Sequence, residues 1–457
     1  MEYFGHTQLS FVLFSILSVS ACSNSGDEPN TEQALDSRST ISTFLQNKPE
    51  DINISFTADI NENIKSSANL ASISFTNYAM NNLSNNSVVV TWPMLSTLPL
   101  ITAATHDDTY DEVMLGLSDF GLEQSWSTAI GALHHNLSVL GESGTTLFSH
   151  HFWWQQGSRF ESEFLTQIDS ALSPEYIYNN FKIGESISEE VDNSVINSFG
   201  TDYSFTLEKY ADTRLVALNQ MKTTGAFDAE NIQLEAFDGL FLEHDNLIRT
   251  PMLRLQGTLG YYENSDFSSH KIPMADGKLS LISIQPKIEM RSYVLENMNT
   301  ILNELNNNWV SQETSAVLPV TSVEFEIQDE NWFEWKDIDL IYSEEQADLR
   351  SMDHLGSLYM QSMPYLNRIT ISEEGVQLAG VTGHAVTFDE SNLFFSPNPG
   401  AGLVLSWELQ EPTLIECSEA DEDLVPGFVV IMDEANGIIQ AILSVLSADG
   451  TIVGVRC

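Results

Sequence analysis

His106-Asp107-Asp108, followed by Asp111 and Glu112, offers the nitrogen and oxygen ligands that a hard cation takes. The same acids stand where a helix would begin, and carboxylates there are favoured by the helix dipole without any ion. Capping is therefore the expected role, and no metal is expected. His134-His135 and His150-His151 are adjacent pairs. Neighbours on a strand point to opposite faces, so neither pair can chelate one ion from one side. The chain contains no H-E-x-x-H, C-x-x-C or G-x-S-x-G motif and no Gly-rich phosphate loop. Trp153-Trp154 and the group Trp332, Phe333 and Trp335 could line a ligand site, but large aromatics ordinarily fill a core. No spacing among the 65 acidic residues marks out a catalytic pair. Neither an enzyme nor a cofactor is expected.

The elements that must carry any function begin with an unusual N-terminus. Residues 9–21, LSFVLFSILSVSA, form an apolar run too short to span a bilayer, as in an export signal. Val19-Ser20-Ala21-Cys22 is similar to a bacterial lipobox, which makes Cys22 the expected lipidation site. Residues 1–21 are then a lipoprotein-type signal peptide and 22–50 a flexible polar tether. The remaining cysteines, Cys417 and Cys457, could pair in an oxidising compartment or stay as two buried thiols. The expected location is the bacterial envelope, periplasmic or at the outer surface, or the extracellular space.

Lys and Arg number 18 against 65 Asp and Glu, a formal charge of −47 over 457 residues. That field repels phosphate backbones and anionic headgroups, so nucleic acid is excluded and membrane contact is expected only through the lipid. With 42% hydrophobic residues the chain can nonetheless build a large core. Helical spacing runs over 65–84, 94–105 and 109–117, and Val88-Val89-Val90 reads as a strand. From about residue 146 strands dominate, with hairpins signalled at Asp276-Gly277 and Asn436-Gly437. Helices first and long strands later predict an α+β fold, and no Pro/Gly-rich break divides residues 51–457.

Several separated segments resemble the serpin family, in that family's order. Asn86-Ser87-Val88-Val89-Val90 and the run from Ala104 to Leu117 are similar to its first strand and following helix. Leu215-Val216-Ala217-Leu218-Asn219 with Gly225 and Phe227 resembles L-V-L-V-N-x-x-x-F-K-G-x-W. Pro251-Met252-Leu253, Gly257 and Tyr261 match P-M-M-x-x-x-G-x-F-x-Y, and Ile272-Pro273-Met274 with residues 279–286 resembles the next hairpin. Ile371-Ser372-Glu373-Glu374-Gly375-Val376-Gln377-Leu378-Ala379 looks like the reactive-loop hinge V-N-E-E-G-T-x-A-A.

The resemblance implies a helical half packed on three mainly antiparallel sheets, with an exposed reactive loop at about 375–425. It implies inhibition of a serine peptidase, or of a cysteine peptidase, by loop cleavage, acyl-enzyme trapping and insertion of the loop into the main sheet. The alternative is a non-inhibitory binding or structural protein of the envelope. A monomer is expected. Hinge residues Glu373, Glu374, Gly375, Val376, Gln377, Leu378 and Ala379 would start the inserting strand, and the family's spacing puts the scissile bond at Asp389-Glu390. Val376, Leu378, Gly380 and Thr382 would face the helices, and Gln377, Ala379, Val381 and Gly383 the other side. Neither charge nor proline interrupts 375–388. Asn219, Phe227 and Tyr365 match the shutter and breach positions, Tyr365 standing where the family has a histidine. Val90-Thr91 stands where the family has Ser-Pro, and Pro93 takes the place of a second shutter serine.

Overall fold

The computed structural model describes residues 60–80, 86–123, 125–141, 146–155, 158, 160–179, 190–191, 193–194, 213–243, 246–287, 291–327, 333–353, 358–362, 365–388, 418–424 and 427–445. Helix α1 (Glu62–Met80) buries Ile64, Ala68, Ala71 and Phe75, a spacing of three and four that lines one helical face. Its start is capped by Asn61, whose Oδ1 accepts the Ile64 N–H at 2.9 Å. The apolar run β1 (Ser87–Val90) is buried along its length. There follow α2 (Thr91–Leu95), α3 (Leu98–Ala104), α4 (Asp107–Leu117) and α5 (Trp126–Gly141). The expected helix 94–105 is thus two short ones, because Pro93 and Pro99 both suit first turns.

The main sheet is built from β2 (Thr146–Gln155), β3 (Glu175–Asn179), β4 (Thr213–Gly225), β10 (Thr321–Ile327), β11 (Leu358–Ser362), β12 (Tyr365–Ser372) and β13 (Gly375–Phe388). Its order is β10-β12-β13-β4-β2-β3, with β11 also paired to β13. Helix α6 (Ser162–Leu172) links β2 to β3, which pair in parallel. The second sheet contains β5 (Ile232–Glu243), β6 (Asn246–Glu263), β7 (Phe267–Pro273), β8 (Leu279–Pro286), β9 (Val310–Pro319), β14 (Ser418–Leu424), β15 (Gly427–Asp433) and β16 (Ile438–Val445), together with β1. Helices α7 (Arg291–Glu296) and α8 (Met298–Asn308) join β8 to β9.

The α+β class is as expected. Three sheets were expected, and among the described residues they appear as two. The 18-residue β6 spans both smaller sheets: its first part pairs with β5 and its last part with β7, so hydrogen bonding runs on unbroken. Both expected hairpins are present, with Gly277 at φ 65 and Gly437 at φ 63 taking the left-handed turn positions. One hydrophobic core joins the helices to the inner faces of both sheets. Among the described residues no helix is long and apolar enough to cross a membrane. Residues 1–50, with Cys22, and Cys417 and Cys457 lie outside the described residues.

The largest departure concerns the loop. Where an exposed segment was expected, Gly375–Phe388 is a buried strand near the centre of the main sheet. The physical reason lies in its composition. A segment free of Asp, Glu, Lys, Arg and proline incurs no cost for burying a fixed charge, and it gains a partner for its backbone groups on both sides.

Candidate functional site

The site is strand β13 together with the strands it pairs with in the main sheet. On one side it pairs antiparallel with β12, from Ser372↔Gly375 to Leu366↔Val381, and then with β11, from Ser362↔His384 to Leu358↔Phe388. On the other it pairs with β4, from Val376↔Gly225 to Thr387↔Thr213, with one register shift after Val386. The entry turn is made by Glu373 and Glu374, both exposed, with Ser372 Oγ accepting the Glu374 N–H at 3.3 Å. Gly375 has φ 124, and a Cβ there would stand 2.0 Å from the Gly225 carbonyl oxygen. Only glycine fits that corner.

Side chains alternate as a two-residue period requires. Val376, Leu378 and Val386 enter the main core. A Cβ on Gly380 would meet Val90 Cβ at 2.7 Å and Pro93 Cγ at 3.1 Å, so Gly380 also faces inward. His384 Nε2 lies 3.2 Å from Thr97 Oγ1 on the same face. Ala379, Val381 and Ala385 form the opposite cluster with Trp153, Val191, Val216, Leu218 and Leu366, while Gln377 is exposed. Burial of each branched residue contributes about 1.5–3 kcal/mol. Leu378, bulkier than the alanine usual in the family, is fully accommodated between Thr223 and Ile369.

Asn219 lies directly opposite Thr382 on β13 and His150 on β2. His150 Nδ1 and Asn219 Oδ1 are 2.8 Å apart, so the imidazole donates to the amide oxygen. Burial drives the His150 pKa down to about 3 and that of His134 to about 4, leaving both rings neutral. These two rings meet edge to face at 5.1 Å, and Trp92 adjoins both. Tyr365, at the start of β12, is fully buried against Phe75 at 5.5 Å and opposite Ile327. Phe227 sits apart from these, bridged to Met274 near the entry turn. Asp389 and Glu390 lie outside the described residues, directly after β13.

Four contacts were not legible in the sequence. Asn367 Oδ1 accepts the buried Val90 N–H at 2.8 Å, tying β12 to β1. Thr91 Oγ1 donates to the Ile439 carbonyl at 2.5 Å, and Ser96 and Thr97 hydroxyls donate to the Pro93 carbonyl at 2.8 and 3.1 Å. The His150–Asn219 pair could have been found from strand alternation, which puts His150 on the face of Phe148 and Phe152.

The other polar groups serve the scaffold. Of the residues read as possible cation ligands, His106 and Asp107 come together, joined by Asp348 rather than by Asp108, Asp111 or Glu112, and Arg350 bonds Asp107 at 2.7 Å and Asp348 as well. Arg350 and His106 hold the Asp348 carboxyl below its ordinary range. On the outer face of the main sheet, a cavity of about 450 Å3 is lined by Ser149, His151, Trp153, Glu175, Glu190 and Ser194. His151 Nδ1 stands 3.1 Å from Ser149 Oγ and 3.2 Å from Ser194 Oγ, and Nε2 3.5 Å from Glu175. Ser194 accepts from Gln220 at 2.7 Å and Trp153 donates to Glu190 at 2.9 Å. These bonds fasten the helical residues 190–194 across the sheet.

A family model described as Serpin (serine protease inhibitor) matches residues 65–399. No curated protein matches the chain in sequence. Solved structures with the same fold include cleaved Serpin 42Da, at TM-score 0.67 and 16% identity, covering 85% of this chain and 99% of that one. The thermophilic serpin Tengpin in its latent state is similar at TM-score 0.64 and 15% identity, with 85% and 98% covered. A loop-inserted, cleaved ovalbumin mutant is similar at TM-score 0.63 and 15% identity, with 85% and 100% covered.

Proposed function

Because the chain belongs to the serpin family, we propose that it inhibits serine endopeptidases by cleavage and seating of its reactive loop. The observation that carries this reading is β13. Its 14 residues contain no Asp, Glu, Lys, Arg or Pro and pair with β4 on one side and with β12 and β11 on the other. In the proposed sequence of events, the peptidase serine oxygen attacks the scissile carbonyl. An ester forms to the loop, and the amine of the following residue leaves as a new N-terminus. The freed arm seats between β12 and β4 and carries the esterified peptidase with it, distorting the peptidase before water can release it. The inhibitor then needs no nucleophile of its own.

The family's spacing from the hinge glycine puts the scissile bond at Asp389-Glu390, a bait for an acid-preferring peptidase. Cysteine peptidases are a second target class. The protein is read as a monomer, exported and held at the envelope by lipid on Cys22, with Cys417 and Cys457 paired. Replacing Cys22 with serine is expected to release it from membranes; unchanged fractionation would remove the anchor from the proposal.

A non-inhibitory binding or structural role is the second reading. The observation favouring it is that β13 is already paired on both sides, so the strand that cleavage would have to insert is in place beforehand. Incubating freshly folded protein with a panel of serine peptidases separates the two. Adducts that survive boiling in SDS support inhibition. If every peptidase digests the loop and stays active, the second reading holds.

A further inference from the structure

The cavity on the outer face of the main sheet brings together a hydroxyl, an imidazole and a carboxylate. His151 on β2 and Glu175 on β3 are direct partners in the parallel register, and Ser194 comes from the helical residues 190–194. Ser194 Oγ stands 3.2 Å from His151 Nδ1, while Nε2 is 3.5 Å from Glu175 Oε2. A carboxylate only accepts, so it favours the tautomer with the proton on Nε2 and leaves Nδ1 as an acceptor. Gln220 Nε2 donates to Ser194 Oγ at 2.7 Å, which keeps the serine's own hydrogen for an acceptor, and Nδ1 is in reach. Ser149 Oγ is the second hydroxyl at the ring, but it straddles both nitrogens, at 3.1 Å from Nδ1 and 3.5 Å from Nε2. It therefore lies toward the carbon between them, off the line of the Nδ1 lone pair. Trp153 stacks on the ring at 5.4 Å and restricts its rotation.

We propose that Ser194, His151 and Glu175 form an esterase site, in which Ser194 Oγ attacks a small carboxylic ester and is transiently acylated. A nucleophile within hydrogen-bond reach of a base, with the base oriented by a third group, is the arrangement this chemistry needs. In acylation, Ser194 Oγ bonds to the ester carbonyl carbon and its proton passes to His151 Nδ1. The bond from that carbon to the leaving oxygen breaks, and the leaving oxygen takes the proton and departs as an alcohol. Water then repeats the sequence, releasing the acid and restoring the serine. Burial lowers the His151 pKa while Glu175 acts in the opposite direction, and the ring is a neutral base at neutral pH. A cavity of about 450 Å3 suits a small molecule. Glu175 and Glu190 on its walls repel anions, and Ile177 and Trp153 supply an apolar side, so the expected substrates are small uncharged or cationic esters. The proposal stands apart from the loop reaction, because none of these residues belongs to β13.

The test uses the full chain with p-nitrophenyl acetate and with a fluorophosphonate, in the absence of any peptidase. Intact mass and peptide mapping are expected to find the phosphonyl group on Ser194. Ser194→Ala and His151→Gln should each lower turnover of p-nitrophenyl acetate about 100-fold. Glu175 acts through the imidazole and is a positioning residue, so its readout is the pH profile of phosphonylation. The other titratable side chains on that face are Glu190, bonded to Trp153, and Arg214 and Lys222, further along β4 on either side of Leu218, which pairs with His151. Glu175→Gln removes the charge that favours the imidazolium, so the rising limb of the profile should move to lower pH. A purely structural loss would lower the rate without moving the limb, and an unmoved limb overturns the role given to Glu175. Wild type that is phosphonylated elsewhere or not at all overturns the proposal without recourse to any variant. So does a folded Ser194→Ala that turns over the ester as fast as wild type.

Discussion

The corner at Gly375 offers a sharp test of the seated strand. Replacing Gly375 with alanine adds a Cβ 2.0 Å from the Gly225 carbonyl oxygen and 2.8 Å from Ala226 Cα. Both are backbone atoms in or beside the paired part of β4, so neither can swing aside. The φ of 124 is itself unfavourable for alanine, at about 1–3 kcal/mol. Crowding against fixed atoms adds about 1–3 kcal/mol. The seated form should therefore lose about 2–6 kcal/mol. With an unfolding entropy of about 2.1 cal/mol/K per residue over roughly 400 residues, that is a fall in Tm of about 2–7 °C. Gly121→Ala is the control, since Gly121 also has positive φ, 66, but nothing lies within 4 Å of an added Cβ. Thermal scans of the seated protein by circular dichroism read both variants. A Gly375→Ala midpoint within one degree of wild type, or a loss no larger than that of Gly121→Ala, would refute the argument from close approach.

Two further expectations concern the groove and its surroundings. Asn367→Ala strands the buried Val90 N–H and should cost about 1–3 kcal/mol in urea titrations, and a midpoint unchanged from wild type would disprove it. Asp433 is fully buried, and burial raises its carboxyl to about 6 from 3.8 even though the Asn436 amide donates to it. The native state then holds a proton that the unfolded chain has lost, so stability falls as pH rises from about 4 to 6 and is level above. Asp433→Asn keeps the acceptor for Asn436 and should stabilise the protein at neutral pH by at most about 3 kcal/mol. Unfolding curves at pH 4 and pH 7 check this, and an unchanged gap between wild type and variant would disprove it.

Much of the fold was legible in order along the chain. Helical spacing over 65–84 marked the first helix, which the structure places at Glu62–Met80 with Ile64, Ala68, Ala71 and Phe75 as its buried face, and the strand from residue 146 and the Asp276-Gly277 turn also read locally. So did the two faces of 375–388, because a period of two depends on the backbone alone. Recurrence of these pieces in one family's order was enough to indicate the fold. The absence of charge and proline from 375–388 was equally plain, and it establishes that a buried strand is permitted there.

What tertiary structure decided was partnership and state. Asn219 finds His150 69 positions away, Val90 finds Asn367 277 away, and Thr97 finds His384 287 away. Residues so far apart meet only once sheet order and register are set, and no local pattern encodes them. The adjacent histidines show the same limit: neither pair acts as a pair, and the contact that forms is between His134 on a helix and His150 on a strand. Seating of the loop belongs to this second kind of fact. Its place depends on the free energy of the complete arrangement, in which β13 lies between β12 and β4. Composition shows that the filling strand fits; the paired groove on both its sides is what places it there.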